Sequence, residues 1–266
     1  MPSPQPFQRS PPLRTRLTRV LIVPDAHRPY HDERAWALVL KAAKAFRPQI
    51  LVVIGDFADF YAVSAHSKDP RRVRDLEWEV GEVKKGLDDL DALGAQRKVY
   101  VEGNHEDRLR RYLQDRAPEL FGTVSVPKVL GLKERGWEFI PYRRDGKVGK
   151  VHITHDVGNA GRYASYKALD VFQHSVVTGH SHRLSYVVEG NAVGEQLLSA
   201  QFGWLGDVNR VDYDHRVKAL RNWALGFGIG YLDPATGLAY LTPIPIVRAP
   251  RSGEYTCVVE GKLYKG

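Results

Sequence analysis

With 266 residues, 43% of them hydrophobic, the chain can bury a sizeable core, and one large α/β domain is expected. Its 39 Lys and Arg against 31 Asp and Glu leave a net charge of +8, which favours anionic partners, phosphate-bearing ligands first. The single Cys257 excludes an internal disulfide framework and a thiolate zinc site, and no run of about 18 apolar residues is present to span a membrane, so a reducing cytoplasm is the expected setting.

Residues 1–16 mix prolines and serines with arginines around no apolar centre, which reads as a flexible tail and not as a signal peptide. Residues 17–266 are expected to form the domain. Residues 17–23 are an apolar, β-branched run stopped by Pro24, a buried strand. Asp32 is placed to cap a helix reaching Phe46, with Ala35, Trp36, Val39, Leu40, Ala43 and Phe46 at helical spacing until Pro48 ends it. A second strand follows at 50–54, and this strand, helix, strand order argues for parallel pairing with functional loops at the carboxyl ends of the strands. The polar loop at 57–75 follows directly and is expected to hold substrate. Residues 74–93 read as a long helix whose buried stripe is Leu76, Val80, Val83, Leu87 and Leu90, with no chemistry of its own. A short helix over 106–116 carries Arg108, Arg110, Arg111 and Arg116. Strands are expected at 137–141, 147–154, 175–178, 186–188, 228–232 and 238–241, and a helix at 162–172. The aromatic and charged stretch 202–226 receives no assignment.

Five apolar runs end in side chains able to hold a cation: Val20-Leu-Ile-Val-Pro-Asp-Ala-His27, Ile50-Leu-Val-Val-Ile-Gly-Asp56, Val99-Tyr-Val-Glu-Gly-Asn-His105, Val151-His-Ile-Thr-His155 and Ser175-Val-Val-Thr-Gly-His-Ser-His182. Carboxylate, imidazole and amide oxygen suit manganese, iron or zinc. Asp25 and His27 lie two apart after a strand, so both can face one ion, and His180 and His182 repeat the arrangement. Asp56, alone after Gly55, is the candidate to bridge two ions, which together would clamp a phosphate and activate water.

The ordered series Asp25-x-His27, Gly55-Asp56, Gly103-Asn104-His105-Glu106, His155 and Gly179-His180-x-His182 resembles the calcineurin-like metallophosphoesterase superfamily over most of the chain. The resemblance implies an α/β fold of two mixed β-sheets sandwiched between helices. It implies two divalent cations, manganese first with iron, zinc or nickel as alternatives, one held by Asp25, His27 and His182, the other by Asn104, His155 and His180, with Asp56 shared. His105 would stand beside the phosphate and stabilise the transition state or protonate the leaving oxygen. The loop around Asp59, His66 and Pro70 looks like phage and prophage versions of the fold.

One departure limits the substrate. Protein serine/threonine phosphatases of the family carry Gly-Asp-x-x-Asp-Arg-Gly, whereas this chain has Gly55-Asp56-Phe57-Ala58-Asp59-Phe60, which keeps Asp59 and lacks the phosphate-gripping arginine. Asp59 is expected to orient His105, and Arg28, Arg108 or Arg183 to supply the missing cation, with His66 a further substrate contact. His31, His152, His174 and His215 read as ordinary satisfied histidines. The aromatics Trp204, Tyr213, Trp223 and Phe227 read as core or dimer surface ahead of base stacking. A metal-dependent phosphodiesterase acting on DNA, RNA or nucleotides ranks first, a phosphomonoesterase second and a non-catalytic scaffold third; the oligomeric state is not legible.

Overall fold

In a computed structural model of the chain, residues 16–70, 72, 74–211 and 222–266 are described. The expected tail, apart from Arg16, and the positions of Arg71, Tyr213 and His215 lie outside the described residues. Strand β1 (Thr18–Val23) buries Val20 and Ile22 on one face and Leu21 and Val23 on the other, as a strand covered on both sides must. Helix α1 (Glu33–Phe46) starts where Asp32 accepts from the amides of Arg34 and Ala35. The first half continues through β2 (Ile50–Val53), α2 (Leu76–Asp91), β3 (Arg97–Val101), α3 (Asp107–Arg116), α4 (Val126–Leu130) and β4 (Trp137–Ile140). The second half comprises β5 (Gly146–Val148), β6 (Val151–Ile153), α5 (Ala164–Phe172), β7 (Val176–Val177), β8 (Leu184–Gly190), β9 (Gln196–Phe202), β10 (Gly226–Leu232) and β11 (Ala239–Pro245), then three short strands, β12 (Val247–Arg248), β13 (Tyr255–Val259) and β14 (Lys262–Lys265).

The first sheet has the order β11-β10-β1-β2-β3-β4, parallel from β1 to β4 with two antiparallel strands at one side. The second has the order β5-β6-β7-β9-β8, parallel in its centre and antiparallel at both edges. The two face each other through one apolar layer, in which Val20, Ile22, Val52 and Val99 meet Val151, Ile153, Val177 and Phe202. On the outside of the first sheet, Leu21, Val23, Leu51, Val53 and Tyr100 pack with Trp36, Val39, Val83 and Leu87 of α1 and α2. Helix α5 covers the second sheet with Ala168 and Leu169 against Val176, Val187 and Leu197. Two mixed sheets between helices, the expected architecture, is what the chain forms. Among the described residues no helix is long and apolar enough to cross a membrane.

The departures have local causes. Residues 147–154 form a hairpin, not one strand, because Gly149 turns the backbone at φ 60° between β5 and β6. Strand β9 escapes an apolar-pattern reading because Ser199 and Gln201 are buried in it; Gln201 is satisfied by accepting from Ser181 Oγ and donating to Thr178 Oγ1. The last three strands are short and mostly polar, yet Cys257, Val259 and Tyr264 join the core beside α1. Helix α2 buries, besides its apolar stripe, Glu79, whose carboxylate accepts from the amides of Tyr61 and Ala62 and so fixes the turn Tyr61–Val63 in the loop after β2.

Burial, reinforced by the Asp59 charge, lifts the Glu79 carboxyl from its ordinary 4.5 to about 7. The folded chain therefore holds this proton more tightly than the unfolded chain. The resulting stability is complete below about pH 4.5 and is lost as pH rises through about 7, at most about 3 kcal/mol. In chelator, Glu79→Gln is expected to remove that decline from the pH profile of urea unfolding; parallel profiles for the two proteins would refute it.

Candidate metal centre

The carboxyl ends of strands from both sheets meet at one place. The segment after β1 delivers Asp25 and His27, that after β2 delivers Asp56 and Asp59, that after β3 delivers Asn104 and His105, that after β6 delivers His155, and that after β7 delivers His180 and His182. Three donor groups form there, Asp25 with His27 and His182, His27 with Asp56 and His105, and Asp56 with His155 and His180, each with its ligand atoms within 4.8 Å of one another. His27 and Asp56 each belong to two groups, so the three make one chain. The Nε2 atoms of His27 and His182 are 3.0 Å apart, His182 Nε2 is 3.3 Å from Asp25 Oδ2, and His155 Nε2 is 3.2 Å from Asp56 Oδ2 and 3.1 Å from Asn104 Oδ1. All seven side chains named from the sequence as ligands are thus brought together.

The backbone is bent to achieve this. His27, Asp56, His180 and His182 all lie in the left-handed region, at φ 50°, 48°, 66° and 58°. For residues other than glycine this costs of the order of 1 kcal/mol or more each, and such strain gathers at functional sites. Part of the compensation is Glu106, fully buried, which accepts from the amides of Asp56, Ala58 and Gly103 and from the Tyr100 hydroxyl. One carboxylate thereby ties the Asp56 loop to the Asn104-His105 loop. Asp56 Oδ1 in turn accepts from the His105 amide, and Asp25 Oδ2 from the His180 amide. The glycines ahead of the ligands are needed for close approach: a Cβ on Gly103 would stand 2.2 Å from Asp56 Oδ1, and one on Gly179 2.5 Å from Asp25 Oδ1.

Asp59 Oδ2 lies 3.3 Å from Nδ1 of both His27 and His105, while its Oδ1 accepts from Arg108 at 2.8 Å. Arg108 also places Nη2 3.2 Å from His105 Nε2. Arg108 therefore stands beside the cluster. Arg28 does not: its guanidinium rests on the Trp36 ring, donates to the Glu82 carbonyl and is buried against α2. His66 is exposed at the rim of the same side as Arg108, and Arg183 is half-buried, its Nε without a hydrogen-bond partner among the described residues.

Trp204 and Trp223, read from the sequence as core or dimer surface, wall the cluster. Trp204 stacks on the His182 ring at 4.8 Å and 14°, and Trp223 meets the same ring edge-on at 4.8 Å. His155 is oriented by Nδ1 against the Ile54 carbonyl at 2.9 Å, but His182 Nδ1 has no such partner among the described residues, so ring packing holds His182 in place. No spacing in the sequence connects Trp204 to His182, and Glu106 carried no expected role beyond its place in the motif.

Burial raises each of the three carboxyls, and the neighbouring imidazoles and Arg108 more than reverse it. His182 and His155 draw Asp25 below the usual carboxylate range, His155 and His105 draw Asp56 well below it, and His105 and Arg108 draw Asp59 well below it. Burial depresses the imidazoles, yet Asp56 lifts His155 to about 10 and Asp59 lifts His27. Burial and the Arg108 charge instead hold His105 down to about 4, and burial holds His182 down against the pull of Asp25. Oxygen and nitrogen donors without a thiolate, converging in linked groups around a buried Asp25 Oδ1 that has no hydrogen-bond partner among the described residues, fit divalent cations.

The sequence model of the calcineurin-like phosphoesterase family (Metallophos) matches residues 18–186, which contain every residue of the cluster. Gene 54 protein of Mycobacterium phage L5 is 25% identical over 249 residues, covering 85% of this chain and 93% of the phage protein. Gene 54 protein of Mycobacterium phage D29 is 25% identical over 254 residues with the same coverage. A solved structure of Vps29 from Chaetomium thermophilum aligns over 93% of this chain and 97% of that one, at 10% identity and a TM-score of 0.48. With its family model matched over more than half its length, the chain belongs to the calcineurin-like phosphoesterases.

Proposed function

We propose that the chain hydrolyses phosphodiester bonds of nucleic acids or nucleotides with two divalent cations, manganese as the working choice. The observation that carries the reading is the linked donor set, in which Asp56 belongs to one group with His27 and to another with His155 and His180. Asp25, His27 and His182 would hold one cation, Asn104, His155 and His180 the other, and Asp56 both. Such a pair supplies charge neutralisation of the phosphoryl oxygens and an activated water. A diester is favoured because Phe60, fully buried, stands where protein phosphatases of the family carry arginine, and because the net charge of +8 suits a polyanion.

The protein's own groups then have separable tasks. Asp59 Oδ2 stands 3.3 Å from His105 Nδ1, which favours the proton on that nitrogen and leaves Nε2 to face Arg108 and the cluster. His105 is neutral at pH 7 in this arrangement. An anionic phosphoryl group reaching Nε2 offsets the Arg108 charge and favours the protonated ring, which can then stabilise charge or pass its proton to the leaving oxygen. Arg108, anchored on Asp59, contributes a fixed positive charge beside that atom.

With manganese, bis(p-nitrophenyl) phosphate and labelled single strands are expected to turn over faster than p-nitrophenyl phosphate, and His105→Ala to lower diester turnover by about 10²-fold with metal content retained. Turnover of the monoester alone would refute the diester reading, and an unchanged rate would remove His105 from the reaction. A ligand imidazole must be neutral, whereas His155 in the cation-free protein is protonated up to about pH 10. Manganese uptake at pH 7 is therefore expected to release protons and to tighten as pH rises. Calorimetry in buffers of differing ionisation enthalpy reads this directly, and a buffer-independent heat would contradict it.

A further inference from the structure

Helix α3 has two faces. Leu109 and Leu113 point into the core, while Arg108, Arg111, Tyr112 and Arg116 recur at helical spacing on the side that lines a cleft of about 630 Å³. The loop after the Tyr61–Val63 turn forms the opposite wall and adds His66 and Lys68; Asp115 is the one carboxylate among the lining residues. Arg108 lines this cleft and stands 3.2 Å from His105 Nε2, so the cleft adjoins the cluster through Arg108. From Arg108 to Arg116 the helix rises about 12 Å, which takes the basic wall beyond the reach of a single phosphate.

Core packing does not account for this face. Asp59 pairs with Arg108 and Asp107 with Arg111, while Arg116 and Lys68 add positive charge to the same cleft, which suits an anionic occupant. Arg111 is held in place by Asp107 at 3.1 Å and by the Asn104 carbonyl at 3.1 Å, so its charge is fixed relative to the cluster. Tyr112, 42% exposed between Arg108 and Arg116, offers an aromatic face of the kind on which an unpaired base stacks.

We infer that this cleft is a subsite for a single-stranded nucleic acid, taking the nucleotides next to the scissile bond. Arg111, Arg116 and Lys68 receive flanking phosphates and Tyr112 a base. The occupant is read as a single strand because Tyr112 can stack only on an unpaired base. The inference rests on the diesterase reading above and names its substrate.

The test is binding of a fluorescein-labelled oligothymidylate to the full chain in EDTA, where no hydrolysis intervenes, over a series of salt concentrations. Each single-strand phosphate contact contributes about 0.7 to the slope of log affinity against log salt, so the double variant Arg111→Ala, Arg116→Ala is expected to lose about 1.4 of slope and about tenfold in affinity at low salt. Because Arg111 also touches the Asn104 loop, Arg116→Glu alone is the second variant and is expected to weaken binding without that contact being disturbed. Tyr112→Ala should weaken binding with the slope retained. Affinity and slope equal to wild type in both arginine variants, or tighter binding of duplex than of single strand, would overturn the subsite. Salt-dependent binding lost in the variants, with bis(p-nitrophenyl) phosphate left intact by the manganese-loaded wild type, would support the cleft and sink only the diesterase reading.

Discussion

Asp56 is the group on which the rest of the molecule depends. Its carboxylate is buried, accepts from the His105 amide through one oxygen, and faces His155 through the other. A buried charge is tolerated only when it is paired and hydrogen-bonded, so the loops after β2, β3 and β6 must all be in position at once. Each comes from the carboxyl end of a strand, β2 and β3 in one sheet and β6 in the other. The apolar layer between the sheets, with Val52 and Val99 against Ile153 and Val177, therefore sets the geometry of the site.

The site is held by parts that differ in kind. Glu106 closes the Asp56 and Asn104 loops on each other with four accepted hydrogen bonds. Asp59 restrains His27, His105 and Arg108 together, and the two tryptophans hold His182 by ring contact where its Nδ1 lacks a hydrogen bond among the described residues. The left-handed backbone at four ligands persists because these surroundings over-determine it. In the absence of cations the carboxylates are balanced by raised imidazoles, chiefly His155, so proton and cation compete for the same donors.

Much of this was legible in the sequence because strand-borne chemistry has a simple signature. An apolar run that stops at Asp25, Asp56, Asn104, His155 or His180 declares both the strand and what its end carries. The helices were legible from caps and periodicity, as Asp32 and the Trp36, Val39, Phe46 stripe show for α1. Strand β9 was not, because Ser199 and Gln201 are buried in it, and Gln201 finds its partners Ser181 and Thr178 only in three dimensions. The same limit hid Glu79, which a helix pattern marks as a solvent position although it caps a turn in another segment. The direction of Arg28 was not legible either: it follows His27 in the chain, and its side chain lies on Trp36. Sequence distance was likewise uninformative for Trp204, whose contact with His182 exists only because β9 lies beside β7.

On the function proposed here, Asp25, His27 and His182 on one side and Asn104, His155 and His180 on the other grip two cations that share Asp56. Titration of manganese into chelator-stripped protein, with elemental analysis of the product, measures it most directly. Two ions per chain are expected in the wild type, and Asp56→Asn should lose tight binding of both. One ion or none in the wild type, or undiminished binding in Asp56→Asn, would contradict it.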